Sequence, residues 1–316
     1  MVELEGTGID GAALETYIQE RVYTLPGVRR LDRAFSVLLT GSRATGDHGP
    51  NSDVDLDVVC PEAVYQRVIE ESIKSGIIRA RGDLFILRDE NWGRYFGTDW
   101  GRPHFRLVPL ERLRQQLEQH EDVLLWIYSH ARVLKDPGAQ FKELMQHFGS
   151  YPRDVLTRKI KYRWLMAAYW EVECFPHHHE RHESQKDELL SAASAVVNSA
   201  NELLRLCFLV EEKPFPYTKK LLLHARHTVL GREICSILER STALAVGAAQ
   251  PELEAWARLD LAADMLMASD TSGDCARLET ACAKAMILAG LDEEWVKADF
   301  ANIEELLSGQ LGPPPS

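Results

Sequence analysis

Three carboxylates occupy every second position of an otherwise aliphatic run, Asp53-Val54-Asp55-Leu56-Asp57-Val58-Val59. On a strand this alternation places Asp53, Asp55 and Asp57 on one face and Val54, Leu56 and Val58 on the other. Like charges in steps of two residues, about 7 Å apart, repel one another. That face must be solvated, or a cation must neutralise it. Carboxylate oxygens suit hard divalent ions, and Mg²⁺ takes one or two carboxylates together with substrate phosphates. Asp53 and Asp55 could therefore hold a pair of ions set for an in-line phosphoryl displacement. The other reading is an edge strand with a solvated acidic face and a turn before it.

A short polar segment, Gly41-Ser42-Arg43-Ala44-Thr45-Gly46, precedes the run. Gly41 ends the apolar stretch 34–40 and lets the backbone come close to a ligand. Ser42 and the backbone N–H groups after it can cradle a phosphate if a helix starts around Arg43 to Gly46. Arg43 adds a cation for phosphate oxygens.

Taken together, the segment VLLTGSRATGDHGPNSDVDLDVV (37–59) resembles the signature of the DNA polymerase beta-like nucleotidyltransferase superfamily. It has a hydrophobic strand, the Gly41-Ser42 pair, ten intervening residues, then Asp53-Val54-Asp55-Leu56. Arg43 and Gly46 look like the GSRARG-type loops of the small antibiotic nucleotidyltransferases. The resemblance implies that Gly41 and Ser42 bind the triphosphate of an NTP, with ATP as the expected donor. It implies that Asp53 and Asp55 bind Mg²⁺, with Mn²⁺ as a substitute. Asp57 lies outside the core motif, and its role is open. The resemblance also implies a third carboxylate on a later strand. The strand in that place is RPHFRLVPLERL (102–113), where His104 takes the acid position and Arg106 follows on the same face. His104 could be a general base, since imidazole titrates near neutrality. A carboxylate from elsewhere, such as Asp83, Asp99 or Glu111, could fill the role. Or the protein binds nucleotide without efficient transfer.

The elements that would position these groups follow from periodicity. Residues 10–22 have helical spacing, with Leu14, Tyr17, Ile18 and Val22 on one face and Asp10 as an N-cap. Strands are expected at 34–40, 53–59 and 104–108, with short strand-like segments at 77–80 and 83–88 and a further strand at 131–136. A helix is expected from Pro61 to Lys74, and helical pieces at 110–119 and 121–129. After Pro137 the pattern is helical only: 138–149, 153–173, 185–211, 218–226, 231–246, 251–268, 276–289 and 292–307. The expected architecture is α/β (α+β). A small mixed-sheet nucleotidyltransferase-like domain over 1–136 precedes an all-helical bundle over 137–316, with a disordered tail at 309–316.

In the helical half, RDVLTRKIKYRWLMAAYW (153–170) is basic in a chain of formal charge −12. Arg158, Tyr162 and Leu165 share one face, and Lys159, Arg163 and Trp170 another. The cluster would complement a triphosphate or the acidic neighbouring domain, or be an ordinary amphipathic face. In EEKPFPYTKKLLLHA (211–225), Lys219 and Lys220 open a helix, where a cation opposes the macrodipole unless an anion is present. They are expected to reach nucleotide phosphates. PHHHERHE (176–183) places His178 and His182 at a zinc-like i, i+4 spacing, but a solvated loop is the plainer reading, and the role of the His177–His182 cluster is open. The final helix, 292–307, would pack Trp295, Phe300 and Ile303 inward.

With 316 residues, 45% hydrophobic and 27% charged, the chain has the composition of a globular protein able to bury a core without disulfides. Its acidity argues against a protein that coats nucleic acid. Six cysteines without a CxxC pair read as free, buried thiols of a reducing cytoplasm. No signal peptide or membrane span is expected. The functional expectation is Mg²⁺-dependent transfer of an NMP from an NTP to a hydroxyl acceptor. A small hydroxylated molecule is favoured, with a protein or a tRNA end as the other candidates. The alternative is a nucleotide-binding regulatory protein or a toxin–antitoxin component with weak or no transfer.

Overall fold

The carboxylate run forms a strand in the structure, a computed structural model that describes residues 7, 9–24, 35–49, 52–75, 103–174, 186–248, 258–259, 261–262, 265–266 and 273–298. Four strands make one mixed sheet: β1 (Ser36–Thr40), β2 (Val54–Cys60), β3 (Pro103–Pro109) and β4 (Arg132–Lys135). Their order is β3-β2-β1-β4. β1 runs antiparallel to β2 and β4, and β2 runs parallel to β3.

The alternation decides which face is which. Leu39 pairs with Leu56 and Val37 with Val58. These four join Val54 and Leu107 in one apolar cluster with Leu14 and Tyr17 of α1 (Gly11–Tyr17) and Val68 and Ile69 of α3 (Glu62–Lys74). Burying each such side chain contributes roughly 1.5–3 kcal/mol. The opposite face carries Leu38, Thr40, Asp55 and Asp57, because Thr40 pairs with Asp55 and Leu38 with Asp57. A one-residue slip of β2 would drive the aspartates into the apolar cluster, so the register is strongly specified.

Local signals act as expected at α1, where the Asp10 carboxylate accepts from the Ala12 N–H at 2.9 Å. The helix continues through a π turn, Ile18–Val22. A short helix α2 (Gly41–Thr45) joins β1 to the loop before β2. After β3 come α4 (Leu110–Glu118) and α5 (Asp122–Ser129), and after β4 comes α6 (Gln140–Phe148). Asp136 accepts from the N–H groups of Phe141 and Lys142 at 3.4 and 3.0 Å and from the Ser36 hydroxyl at 2.6 Å. It thereby ties the start of α6 to the sheet. The chain divides into compact units at 1–149 and 150–316. The first thus takes in α6, which the change in periodicity at Pro137 had assigned to the helical half.

The second unit contains α7 (Arg153–Cys174), α8 (Lys186–Leu209), α9 (Thr218–Ala225), α10 (Val229–Ala248), α11 (Gly273–Leu288) and α12 (Glu293–Val296), with no strand among its described residues. The architecture is therefore the expected one, a mixed four-stranded sheet with helices followed by a mostly helical region. The basic face of α7 turns to its neighbour. Arg163 Nη1 donates to Glu202 Oε2 of α8 at 3.1 Å, and Arg205 pairs with the other oxygen. Both guanidinium groups lie over the Phe215 ring, at 5.1 and 5.7 Å from its centroid. Lys159 is buried, and Lys161 lies over the Trp295 ring at 4.4 Å. Cys60, Cys207 and Cys235 are free and buried, and Cys275 and Cys282 are buried too. Burial pushes the Cys60 thiol up to about 12 and that of Cys235 to about 11, so neither is an activated nucleophile.

The strand-like segments 77–80 and 83–88, the His177–His182 cluster, most of the helix expected at 251–268, Phe300, Ile303 and the tail 309–316 lie outside the described residues. Among the described residues, no helix is long and apolar enough to cross a membrane.

Candidate functional site

Gly41, Ser42, Asp53 and Asp55 lie at one end of the sheet, where β1 stops and β2 begins. Gly41 follows Thr40 directly and has φ +68°, in the left-handed region that favours glycine. A Cβ built there would lie 2.1 Å from Asp55 Oδ2, 3.0 Å from its Cγ and 3.2 Å from its Cβ. The Asp55 carboxylate therefore rests against a backbone that no side chain could share. The freedom of Gly41, expected to let a ligand approach, serves here to seat Asp55.

Asp53 lies just before β2 and is exposed, while Asp55 is half-buried. The two offer hard oxygen donors two residues apart, beside the first turn of α2. That set fits a divalent cation of the Mg²⁺ kind, which takes one or two carboxylates and fills its remaining positions with water and phosphate. Among the described residues, no group of three His, Cys, Asp or Glu is arranged to hold a metal ion.

Asp57 is not a solvated surplus acid, as its place outside the motif had allowed. It is 3% exposed. Its carboxylate accepts two bonds from Arg106 of β3, from Nε at 3.1 Å and from Nη2 at 2.7 Å, and one from the Tyr128 hydroxyl of α5 at 3.0 Å. Burial alone would lower the Arg106 pKa, but the hydrogen bonds and charge of Asp57 outweigh it and raise it. Burial, then the Asp57 charge, lifts the Tyr128 phenol well above its usual value. The three residues clamp β2 to β3 and α5. The signal was in the sequence, as Asp57 and Arg106 on strands of matching alternation, but only the register identifies them as partners.

The polar loop also differs from expectation. The helix begins at Gly41 rather than around Arg43, and Gly46 closes it with φ +83°. Arg43 then points inward at 2% exposure. Its Nε donates to the Ser52 carbonyl at 3.0 Å and its Nη1 to the Thr7 carbonyl at 3.1 Å, and Nη2 is buried as well. Burial lowers its pKa, with the Asp53 carboxylate opposing. Arg43 braces the loop that delivers Asp53, and its placement does not suit the phosphate contact expected of it. The Ser42 hydroxyl is half-buried and makes no hydrogen bond among the described residues, and the Ser42 carbonyl accepts from Asp47 N at 2.9 Å.

Of the candidates for the third group, Glu111 is engaged elsewhere, accepting from the Glu62 N–H at 2.8 Å to cap α3. Asp83 and Asp99 lie outside the described residues. The backbone of His104 pairs with Asp55 in the parallel register of β2 and β3. Lys219 and Lys220 open α9 in the second unit, with the Lys219 ammonium 5.4 Å from the centroid of the Tyr217 ring.

A family model described as a domain of unknown function (DUF4037) matches residues 117–221, a stretch that includes neither Gly41-Ser42 nor the Asp53–Asp55 pair. The chain is similar to a solved nucleotidyltransferase-like protein from Exiguobacterium sibiricum, at 11% identity and a TM-score of 0.41, over 90% of this chain and 77% of that one. No curated protein matches the sequence.

Proposed function

We propose that the first unit transfers a nucleotidyl group from an NTP to a hydroxyl acceptor. The observation that carries this reading is the Asp55 carboxylate seated on Gly41, with the exposed Asp53 two residues before it. In that reaction an acceptor oxygen bonds to the α-phosphorus, the bond to the β-phosphate oxygen breaks, and pyrophosphate leaves. The acceptor's proton is lost to a base or to water. Asp53 and Asp55 would hold a divalent cation, which when bound neutralises developing charge on the phosphate oxygens. Ser42, with a hydroxyl uncommitted among the described residues, faces the same role the resemblance assigns to it, contact with the triphosphate. ATP is the donor the resemblance implies, and a small hydroxylated molecule is the favoured acceptor.

Pyrophosphate release from each NTP over a panel of hydroxyl acceptors tests this. Asp53→Ala and Asp55→Ala are expected to lower the rate by roughly 10²-fold or more, since even residues behind metal ligands cost 10–100-fold when removed. Wild-type rates in both variants would sink the proposal. The second reading, a nucleotide-binding protein without transfer, is favoured by the engagement of Glu111 at α3. Metal-dependent nucleotide binding with no pyrophosphate from any acceptor would support it.

An ATP-binding assay with a thermal melt separates the cations. Arg43→Ala is expected to lower the melting temperature with little loss of affinity for the fraction that remains folded. Its hydrogen bonds to the Ser52 and Thr7 carbonyls would be lost, at about 1 kcal/mol each. Lys219→Ala and Lys220→Ala are expected to lower affinity with the melting temperature unchanged. Unchanged affinity for both lysine variants would remove them from the site.

A further inference from the structure

Arg240, Leu244 and Gly247 recur at helical spacing along α10, and Arg258, Leu261 and Met265 repeat that spacing in the stretch that follows. The Ser241 hydroxyl donates to the Ala262 carbonyl at 2.7 Å and ties the two stretches together. With the start of α11 they line an open pocket of about 830 Å³ within the second unit. Sites for small organic ligands typically have about 300–1,000 Å³. Two glycines keep the pocket open. A Cβ on Gly247 would meet only Arg258 Nη1, at 3.6 Å, and one on Gly273 would meet no described atom within 4 Å. Neither glycine has a positive φ that would call for one, and glycine is a poorer helix former than alanine. What the two missing side chains supply is room.

The lining sets the chemistry of a ligand. Leu244, Leu261 and Met265 make the wall apolar, and Leu261 is 53% exposed there. The charged lining residues are Arg240, Arg258 and Asp274, which together leave one positive charge in a chain of formal charge −12. Arg240 Nη2 donates to Asp274 Oδ2 at 2.6 Å. A guanidinium carries five N–H donors in a planar fork, so Arg240 can hold a second carboxylate beside Asp274. We propose that this pocket binds an organic monocarboxylate with an apolar body, of the fatty-acid kind. Its carboxylate lies against Arg240 and Arg258, and its chain covers Leu244, Leu261 and Met265. One negative charge matches the lining, whereas the second charge of a phosphate monoester is repelled by Asp274. The proposal does not depend on nucleotidyl transfer by the first unit.

Calorimetric titration of the full chain with sodium decanoate, below its micelle concentration, tests this. Decanol, decyltrimethylammonium and decyl phosphate are the comparison ligands. The wild type is expected to bind decanoate roughly tenfold or more tighter than decanol, and not to bind the cation. Arg240→Gln and Arg258→Gln are each expected to weaken decanoate by roughly tenfold and to leave decanol unchanged. Asp274→Asn removes the competing carboxylate and is expected to tighten decanoate severalfold. Gly247→Leu fills the pocket and should abolish binding of both ligands without lowering the melting temperature, since leucine is the better helix former. Circular dichroism checks the fold, and the arginine and aspartate variants carry the test if the leucine variant misfolds. Equal affinity for decanoate and decanol, or decanoate affinity unchanged in both arginine variants, would overturn the carboxylate assignment. Tighter binding of decyl phosphate than of decanoate would overturn it too. Undiminished decanoate binding in folded Gly247→Leu, or no binding of any of these ligands, would overturn the site itself.

Discussion

Gly41→Ala is expected to fold and yet to lose roughly two orders of magnitude or more of nucleotidyl transfer. Two costs combine at this position. The left-handed backbone, φ +68°, disfavours any side chain by about 1–2 kcal/mol. The new methyl would also sit 2.1 Å from Asp55 Oδ2. Rotating the carboxylate does not clear the clash, because the Asp55 Cγ and Cβ are themselves within 3.0 and 3.2 Å. Asp55 or the end of β1 must move, and a displacement near 1 Å in a catalytic constellation costs about 10²-fold. Gly46→Ala is the matched control. Its φ is +83°, but nothing lies within 4 Å of the added Cβ. It should lose about 1 kcal/mol of stability from backbone strain and keep its activity. Pyrophosphate release and a thermal melt on both variants decide the matter. Equal activity in the two would mean that the seat of Asp55 on Gly41 has no bearing on function.

Asp57→Ala is expected to destabilise the first unit by about 3 kcal/mol, the lower end of what removing one partner from a buried ion pair costs. The lower end applies because the Arg106 side chain is 39% exposed and water can compensate it in part. The Tyr128 hydroxyl also loses an acceptor in a buried position, and Tyr128→Phe alone should cost about 1 kcal/mol, the usual value of one hydrogen bond. Combining Asp57→Ala with Arg106→Ala should add little beyond the first change, since the uncompensated charge is then gone. Denaturant unfolding gives the totals, and hydrogen exchange at the β2 and β3 amides localises the loss. Native exchange rates at β2 in Asp57→Ala would rule out the clamp.

Much of the first unit was legible in the chain itself. Strong alternation in 53–59, an apolar run ending at Gly41 and the spacing to Asp53 located β1, β2 and the carboxylate pair. Asp10 was legible as a cap because a cap acts through neighbours in the chain. Arg43, Asp57 and Asp136 were not, since each acts on residues far away in sequence: Arg43 on Thr7, Asp57 on Arg106 and Tyr128, Asp136 on Ser36. A charged side chain in a polar loop or on an acidic face looks solvated until its partner is known. The basic face of α7 is likewise decided by a distant partner, since Glu202 on the next helix accepts from Arg163.

By itself the sequence determined the order of strands and helices, the apolar face of the sheet and the carboxylate pair proposed to hold a cation. These depend on side-chain period and on contacts between near neighbours. Only the tertiary structure decided that Asp57 is buried against Arg106 and Tyr128 while Asp55 rests on Gly41. Strand pairing sets that choice: it brings Arg106 to Asp57, seats Asp55 on Gly41 and aligns His104 beside it.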